Sequence, residues 1–159
     1  MTNPRKPMTA GEQFAQRLVS GKTLELIITG NSSESIQALT QAAEQIGSEL
    51  ARNVTTSQIR NIFGTVRMIE QDVKGLSEDA PLPIQVQRSL QMLRPKLAYQ
   101  YGRVQGHDDA PKKQAMGALN AILSDAIGLV GTRVQNFRNF MDFFEAILAY
   151  HRRFGGSNN

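Results

Sequence analysis

The residues best suited to catalysis or metal binding are the adjacent His107 and Asp108, because a His-Asp pair binds metal in phosphohydrolases. That chemistry needs further His and Asp ligands from other helices, and the chain has only two histidines and no cysteine. The pair also lies in the segment GRVQGHDDAP, where Asp followed by Pro is typical of a helix start. We find no Ser-His-Asp arrangement, paired catalytic carboxylates or phosphate-binding glycine loop. We therefore expect no catalytic residue, no metal and no cofactor.

The basic residues offer a different chemistry, the binding of phosphate groups. The 159 residues include 18 Lys and Arg against 14 Asp and Glu, a net charge of +4. Residues 1–80 carry 8 basic and 9 acidic side chains (net −1), whereas residues 81–159 carry 10 and 5 (net +5). This distribution favours a polyanionic partner, although the excess is smaller than autonomous DNA-binding proteins usually show.

Two pairs of basic residues have the spacing expected for neighbours on one helix face. Arg60 and Arg67 lie seven residues apart, two turns along a polar flank, and Lys96 and Arg103 have the same separation. Exposed Lys and Arg neutralise phosphates with little sequence preference. The alternative for each residue is a solvated surface charge.

Two tyrosines, Tyr99 and Tyr101, lie between Lys96 and Arg103 and could stack on nucleic-acid bases. At helical spacing only Tyr101 continues the apolar stripe of this segment. We therefore favour packing, in the core or between subunits, over stacking.

Apolar residues at spacings of three and four predict helices along most of the chain. Thr55 and Gln58 form a capping-box pattern, and Pro95 should kink or split the helix that contains it. The segment KTLELIITGNSS is ambiguous, and we interpret it as a helix end followed by a loop. The first predicted helix runs from Thr9 to Ser20, the next from a cap at Ser32 or Ser33 to about Arg52, and the third from the Thr55 cap to near Gly75. The last three run from about Ile84 past Tyr101, from about Lys112 to Val130 and from about Val134 to Arg153.

These elements predict an all-α fold, a compact bundle of five to six helices. We expect residues 9–153 to form a single domain, between a disordered N-terminal tail at 1–8 and a flexible C-terminal tail at 154–159. No stretch approaches the roughly 20 apolar residues that span a bilayer, and no apolar segment follows the basic N-terminus. We therefore expect a cytoplasmic protein with no membrane partner.

A competing hypothesis is a helix-turn-helix DNA-binding regulator using residues 55–74. The segment VTTSQIRNIFGTVRMIEQDV (54–73) resembles the first half of such a motif. Gly64 would then break the helix, and a second helix would enter the major groove. However, the apolar stripe passes through Gly64 without a change of phase. We favour a continuous helix in which Gly64 makes a close contact. A helical adaptor without a nucleic-acid role is the third hypothesis.

Three segments together resemble one family: TTSQIRNIF (55–63), KLAYQYGR (96–103) and FRNFMDFFEAILAYHRRFGG (137–156). The family is the small subunit of type III-A CRISPR effector complexes, the Csm complex small subunit. The segments occur in the family's order, and the resemblance covers about residues 52–156.

The resemblance implies a non-catalytic, α-helical subunit that stacks in several copies as a minor filament. Such subunits contact the target RNA paired to the guide RNA, and they touch the backbone subunits and the large polymerase-like subunit. Matching positions make Arg60, Lys96 and Arg103 the first candidates for RNA contacts. Charge and helix position add Arg67, Arg138 and Arg152.

Overall fold

The computed structural model describes residues 6–156, so the parts of the predicted tails at 1–5 and 157–159 lie outside the described residues. The described residues are all-helical apart from one isolated antiparallel bridge between Pro81 and Arg133. The all-α prediction is confirmed, with one helix more than expected. The seven helices are α1 (Ala10–Leu18), α2 (Gly21–Thr29), α3 (Ser33–Leu50), α4 (Thr56–Gln71), α5 (Ile84–Arg103), α6 (Pro111–Val130) and α7 (Val134–Arg153).

Side-chain caps fix where several of these helices begin. The Thr55 hydroxyl accepts a hydrogen bond from the Gln58 amide (3.0 Å), and the Gln58 side chain accepts one from the Thr55 amide (2.8 Å). The capping box predicted for α4 is therefore confirmed. Thr9 and Ser32 cap α1 and α3 in the same way. Helix α6 begins at Pro111, after the Asp residues that indicated a helix start, but its N-cap residue is Ala110 and neither Asp caps it.

Helix α2 is the element that the sequence interpretation missed. Leu24, Ile27 and Ile28 are buried, which is helical spacing, whereas Leu26 is 36% exposed. In the sequence Leu24, Leu26 and Ile28 alternate as strand residues would, and this made the segment ambiguous; in the structure they belong to a helix. Ser20, the last residue of the preceding predicted helix, is instead the N-cap of α2. The Asn139 side chain of α7 donates to the carbonyls of Ile28 and Gly30 (2.9 Å each) and so holds the end of α2.

Two further expectations need correction. Ile36 has the spacing of the apolar stripe of α3, three residues before Leu39, which predicts burial. It is 62% exposed instead, because Ser35 occupies the buried position of the first turn against Gly30. Pro95 does not split α5, which continues to Arg103. The residue is exposed, and the carbonyl that it leaves without an amide partner belongs to exposed Gln91.

Helix α7 is the centre of the core. It packs against α3, α2, α4 and α6. Its fully buried aromatic residues are Phe137, Phe140, Phe143 and Phe144. Helix α5 lies farther out, packed mainly on α6 and along one side on α4. Much of its surface is thereby left to solvent. Across residues 6–156, no helix is long and apolar enough to cross a membrane.

Candidate nucleic-acid interface

Helices α4 and α5 lie side by side and antiparallel, because Gln58 at the start of α4 adjoins Arg103 at the end of α5. Farther along, Asn61 and Thr65 of α4 face Lys96 and its neighbours on α5. Two open cavities follow this junction, one of about 190 Å³ and one of about 220 Å³. We call this feature, formed by residues 58–65 of α4 and 93–104 of α5, the α4–α5 groove.

The charge of α5 is of one sign. The helix carries four basic residues and no acidic one: Arg88, Arg94, Lys96 and Arg103. Arg94 turns inward, where its guanidinium donates to the Ser124 carbonyl of α6 (3.0 Å). Lys96 and Arg103 are exposed and line the two cavities, and neither pairs with a carboxylate among residues 6–156. Their charges are available to an anionic ligand.

The two tyrosines of α5 have different environments. Tyr99 is 65% exposed, and its ring centroid lies 5.8 Å from the guanidinium carbon of Arg103. Tyr101 packs against the core, as its position on the apolar stripe predicted, and its hydroxyl donates to the Asp108 carboxylate (2.6 Å). Burial first, and then the hydrogen bond to Asp108, raise the pKa of Tyr101 to about 12. Tyr101 therefore remains neutral at physiological pH.

Arg60 and Arg67 are exposed on the other flank of α4. The Arg67 guanidinium lies 5.8 Å from the centroid of the Phe63 ring, which in turn packs 5.1 Å from Phe144 of α7. This flank therefore adjoins α7, whereas the groove residues Asn61 and Thr65 point towards α5. Helical geometry separates the two sets by more than about 100° around the axis.

Arg138 already has protein partners. Its guanidinium donates to the Leu76 carbonyl (2.7 Å) and lies 4.0 Å from the Glu78 carboxylate, and its side chain is only 35% exposed. These contacts hold the loop between α4 and α5 on the start of α7. The observed geometry favours a structural role for Arg138, and an RNA contact by this residue stays a prediction.

Arg152 is exposed in the last turn of α7. This turn lies beside the start of α4, since His151 is within 2.6 Å of the Val54 carbonyl and the Thr56 hydroxyl donates to Gly156 (3.3 Å). The start of α4 also adjoins the end of α5. Arg60, Arg103 and Arg152 consequently share one end of the bundle.

Lys96 lies two turns from Arg103 along α5, about 10 Å by helix rise. Arg138 is near the opposite end of α7. Of the six predicted cations, the structure thus brings Arg60, Arg103 and Arg152 to one end of the bundle and places Arg138 far from them.

The second histidine does not join His107. His151 is buried in α7, where it contacts the Val54 carbonyl, while His107 is exposed in the loop before α6. Among the described residues, no three His, Asp or Glu side chains are grouped so as to hold a metal ion.

The sequence interpretation missed the polar side chains of the groove, which are Gln58, Asn61, Thr65 and Gln100. The sequence contains a weak indication of this polar surface, because Asn61 and Thr65 are four residues apart and therefore share a helix flank. Gln58 was recognised only as a capping residue.

Helix α4 runs through Gly64 without interruption, which excludes the helix-turn-helix proposed at 55–74. The expected close contact at Gly64 is also wrong, since a β-carbon there would meet no atom within 4 Å. Fold and site together define a small all-α protein with a basic groove between two outer helices. The groove belongs to a bundle whose core is built around α7.

The family model described as Csm2 Type III-A matches residues 33–157 of this chain. The chain belongs to this family and is a subunit of a type III-A CRISPR effector complex, the Csm complex. The match includes α3, which the resemblance from residue 52 had left out, while α1 and α2 lie outside it. Among curated proteins and solved structures, no significant match was found.

Proposed function

We propose that this chain is a non-catalytic, RNA-binding structural subunit of the Csm complex. In this proposal several copies stack as a minor filament in the cytoplasm and hold the target RNA paired to the guide RNA through its phosphate backbone. The partners are the guide–target duplex, further copies of the chain, the backbone subunits and the large polymerase-like subunit. Membership in the Csm2 Type III-A family supports the part of this proposal that concerns the Csm complex.

The observation that carries the RNA-binding part is the uncompensated charge of α5. Lys96 and Arg103 project from a helix without acidic residues and border the α4–α5 groove. Phosphate contacts of this kind fix the position of RNA without reading its sequence. A subunit that acts on any target paired to a guide needs this property.

The small number of exposed cations is consistent with action in several copies. One chain offers few phosphate contacts, so its own affinity for RNA should be weak and should fall steeply with salt. When copies are linked along one RNA, each further contact becomes intramolecular and the total affinity rises. Such stacking needs two complementary and different surfaces on each copy.

The test is RNA binding by the charge-reversal variant Lys96→Glu/Arg103→Glu. We expect its affinity for RNA at low salt to fall by at least about tenfold, because two phosphate contacts are replaced by repulsion. Fluorescence anisotropy with a labelled oligonucleotide measures the affinity, and circular dichroism confirms that helicity is unchanged.

The matched control is Arg17→Glu/Lys22→Glu, which changes the net charge equally on exposed positions of α1 and α2. This control should bind RNA nearly as the unaltered chain does. If both double variants lose affinity to the same extent, binding depends on total charge and not on the groove. Unchanged binding by Lys96→Glu/Arg103→Glu would refute the site.

A further inference from the structure

We infer that the α4–α5 groove accepts one unstacked nucleobase of single-stranded RNA, with Tyr99 as its stacking surface. The inference rests on the proposed function, because it places RNA on the same face. It adds a specific residue and a preference for unpaired nucleotides, which phosphate contacts alone do not provide.

The cavity beside Tyr99 has the chemistry of a base site. Its volume of about 190 Å³ is below the roughly 300–1,000 Å³ typical of pockets for drug-sized ligands, so it suits a single ring system. Its floor is apolar, formed by Ile62, Leu93 and Leu97. A nucleobase presents two apolar faces, and such a floor can pack against them.

The rim of the same cavity is polar. Asn61, Thr65 and Gln100 line it. Each amide side chain both donates and accepts hydrogen bonds, and the threonine hydroxyl does the same. An inserted base would meet these groups at its polar edge. Because amides and hydroxyls adapt to either pattern, the site should tolerate different bases.

Tyr99 provides an aromatic surface between two cations. It lines the cavity together with Lys96, which is one turn earlier on α5, and Arg103 follows one turn later. Proteins that bind single-stranded nucleic acids commonly place cations along the phosphate backbone of the nucleic acid and aromatic rings on which its bases stack. Bases within an A-form duplex are stacked and paired, so they cannot reach such a ring.

The charge of the surroundings also decides between occupants. An apolar segment of a second copy could cover Tyr99, but it would gain nothing from the exposed cations Lys96 and Arg103 on a helix without acidic residues. An RNA nucleotide satisfies the cations through its phosphates and the tyrosine through its base. Charge complementarity therefore favours RNA.

The experiment compares Tyr99→Ala and Tyr99→Phe in the full chain, using anisotropy with a single-stranded RNA and with the same sequence as a duplex. Met92→Ala is the matched control, since Met92 is 56% exposed on the same helix and does not line the cavity. We expect Tyr99→Ala to weaken single-strand binding about tenfold and to leave duplex binding within about twofold. Tyr99→Phe and Met92→Ala should bind as the unaltered chain does. The salt dependence of Tyr99→Ala should also be unchanged, because no charge is removed.

Equal loss on single strand and duplex, or no loss on either, would overturn the inference. If Lys96→Glu/Arg103→Glu still abolishes binding in that case, the proposed function survives without the base site. If neither variant affects binding, both proposals fail. A loss of self-association in Tyr99→Ala, measured by sedimentation with RNA affinity unchanged, would assign the groove to a contact between copies and likewise overturn the inference.

Discussion

Helices α3 and α5 have similar lengths, 18 and 20 residues, but opposite charges. Helix α3 carries Glu34, Glu44 and Glu49 and no basic residue, whereas α5 carries four basic residues and no acidic one. The net charge of +4 therefore conceals two surfaces of opposite sign. A modest overall charge is compatible with a strongly basic local site, and it says little about where that site lies.

The inner sides of the two helices differ as well. Helix α3 presents small residues, among them Ala43 and Gly47, and its backbone approaches α7 closely. Helix α5 presents Leu90, Leu93 and Leu97, and its side towards α4 leaves the groove open. Close backbone packing between α3 and α7 stabilises the fold, whereas the open junction between α5 and α4 leaves room for a ligand.

The largest effect that this comparison predicts concerns Gly47. A β-carbon there would lie 2.7 Å from both the His151 amide nitrogen and the Tyr150 β-carbon, so α3 and α7 would have to separate. We expect Gly47→Ala to lower the free energy of unfolding by about 2–3 kcal/mol, as measured by urea denaturation. RNA affinity of the folded variant should be unchanged. A loss below about 0.5 kcal/mol would show that the contact between α3 and α7 is not close-packed.

A smaller effect on the free energy of unfolding is expected at the end of α5, where Tyr101 lies between the buried and the exposed face of the helix. Tyr101→Phe removes the hydrogen bond to Asp108 and should cost about 1 kcal/mol at pH 7. Since the folded-state pKa of about 12 exceeds the ordinary value of 10.0, the neutral phenol stabilises the fold fully below pH 10. This contribution is lost as the pH rises from 10 towards 12.

The stability difference between Tyr101→Phe and the unaltered chain measures this contribution, because every other ionisable group is present in both proteins. The difference should be constant below pH 10 and should shrink above it. A difference that grows with pH would contradict the assigned environment of Tyr101.

The smallest effect belongs to Gly64, the counterpart of Gly47. A β-carbon at Gly64 would meet nothing within 4 Å, and the position lies inside a continuous helix. Gly64→Ala should therefore raise the free energy of unfolding by about 0.5–1 kcal/mol, because Ala favours the helix. Destabilisation in the same urea titration would indicate a turn or a close contact at this position and would reopen the helix-turn-helix hypothesis.

Local patterns in the sequence predicted much of the fold. The box of Thr55 and Gln58 and the apolar stripes of α4 to α7 depend on residues three or four apart, and these predictions are confirmed. Helix α2 was missed because Leu24, Leu26 and Ile28 also alternate as in a strand, and its nine residues span only about two and a half turns. Its boundaries depend on Ser20 and on Asn139, and the latter lies more than a hundred residues away.

The candidate site was predictable only in part, because contacts between residues far apart in the chain decide which side chains reach it. Sequence spacing correctly placed Lys96 and Arg103 on one exposed helix face. It could not show that Arg138 is bonded to Leu76, a contact between residues 62 apart in the chain. Nor could it show that Asn61 faces α5 while Arg67 faces the α7 side, because both positions are simply polar in the helical pattern. Tertiary packing decides these cases.

The central claim is that RNA in the Csm complex lies on α5, and photo-crosslinking in the assembled complex tests it most directly. A target RNA containing 4-thiouridine would be bound to the purified complex, irradiated and digested, and crosslinked peptides would be mapped by mass spectrometry. We predict crosslinks within residues 91–103 and on the adjoining part of α4, and we predict their loss in a complex built with Lys96→Glu/Arg103→Glu. Crosslinks confined to α1–α3, or none on this chain while other subunits crosslink, would contradict the claim.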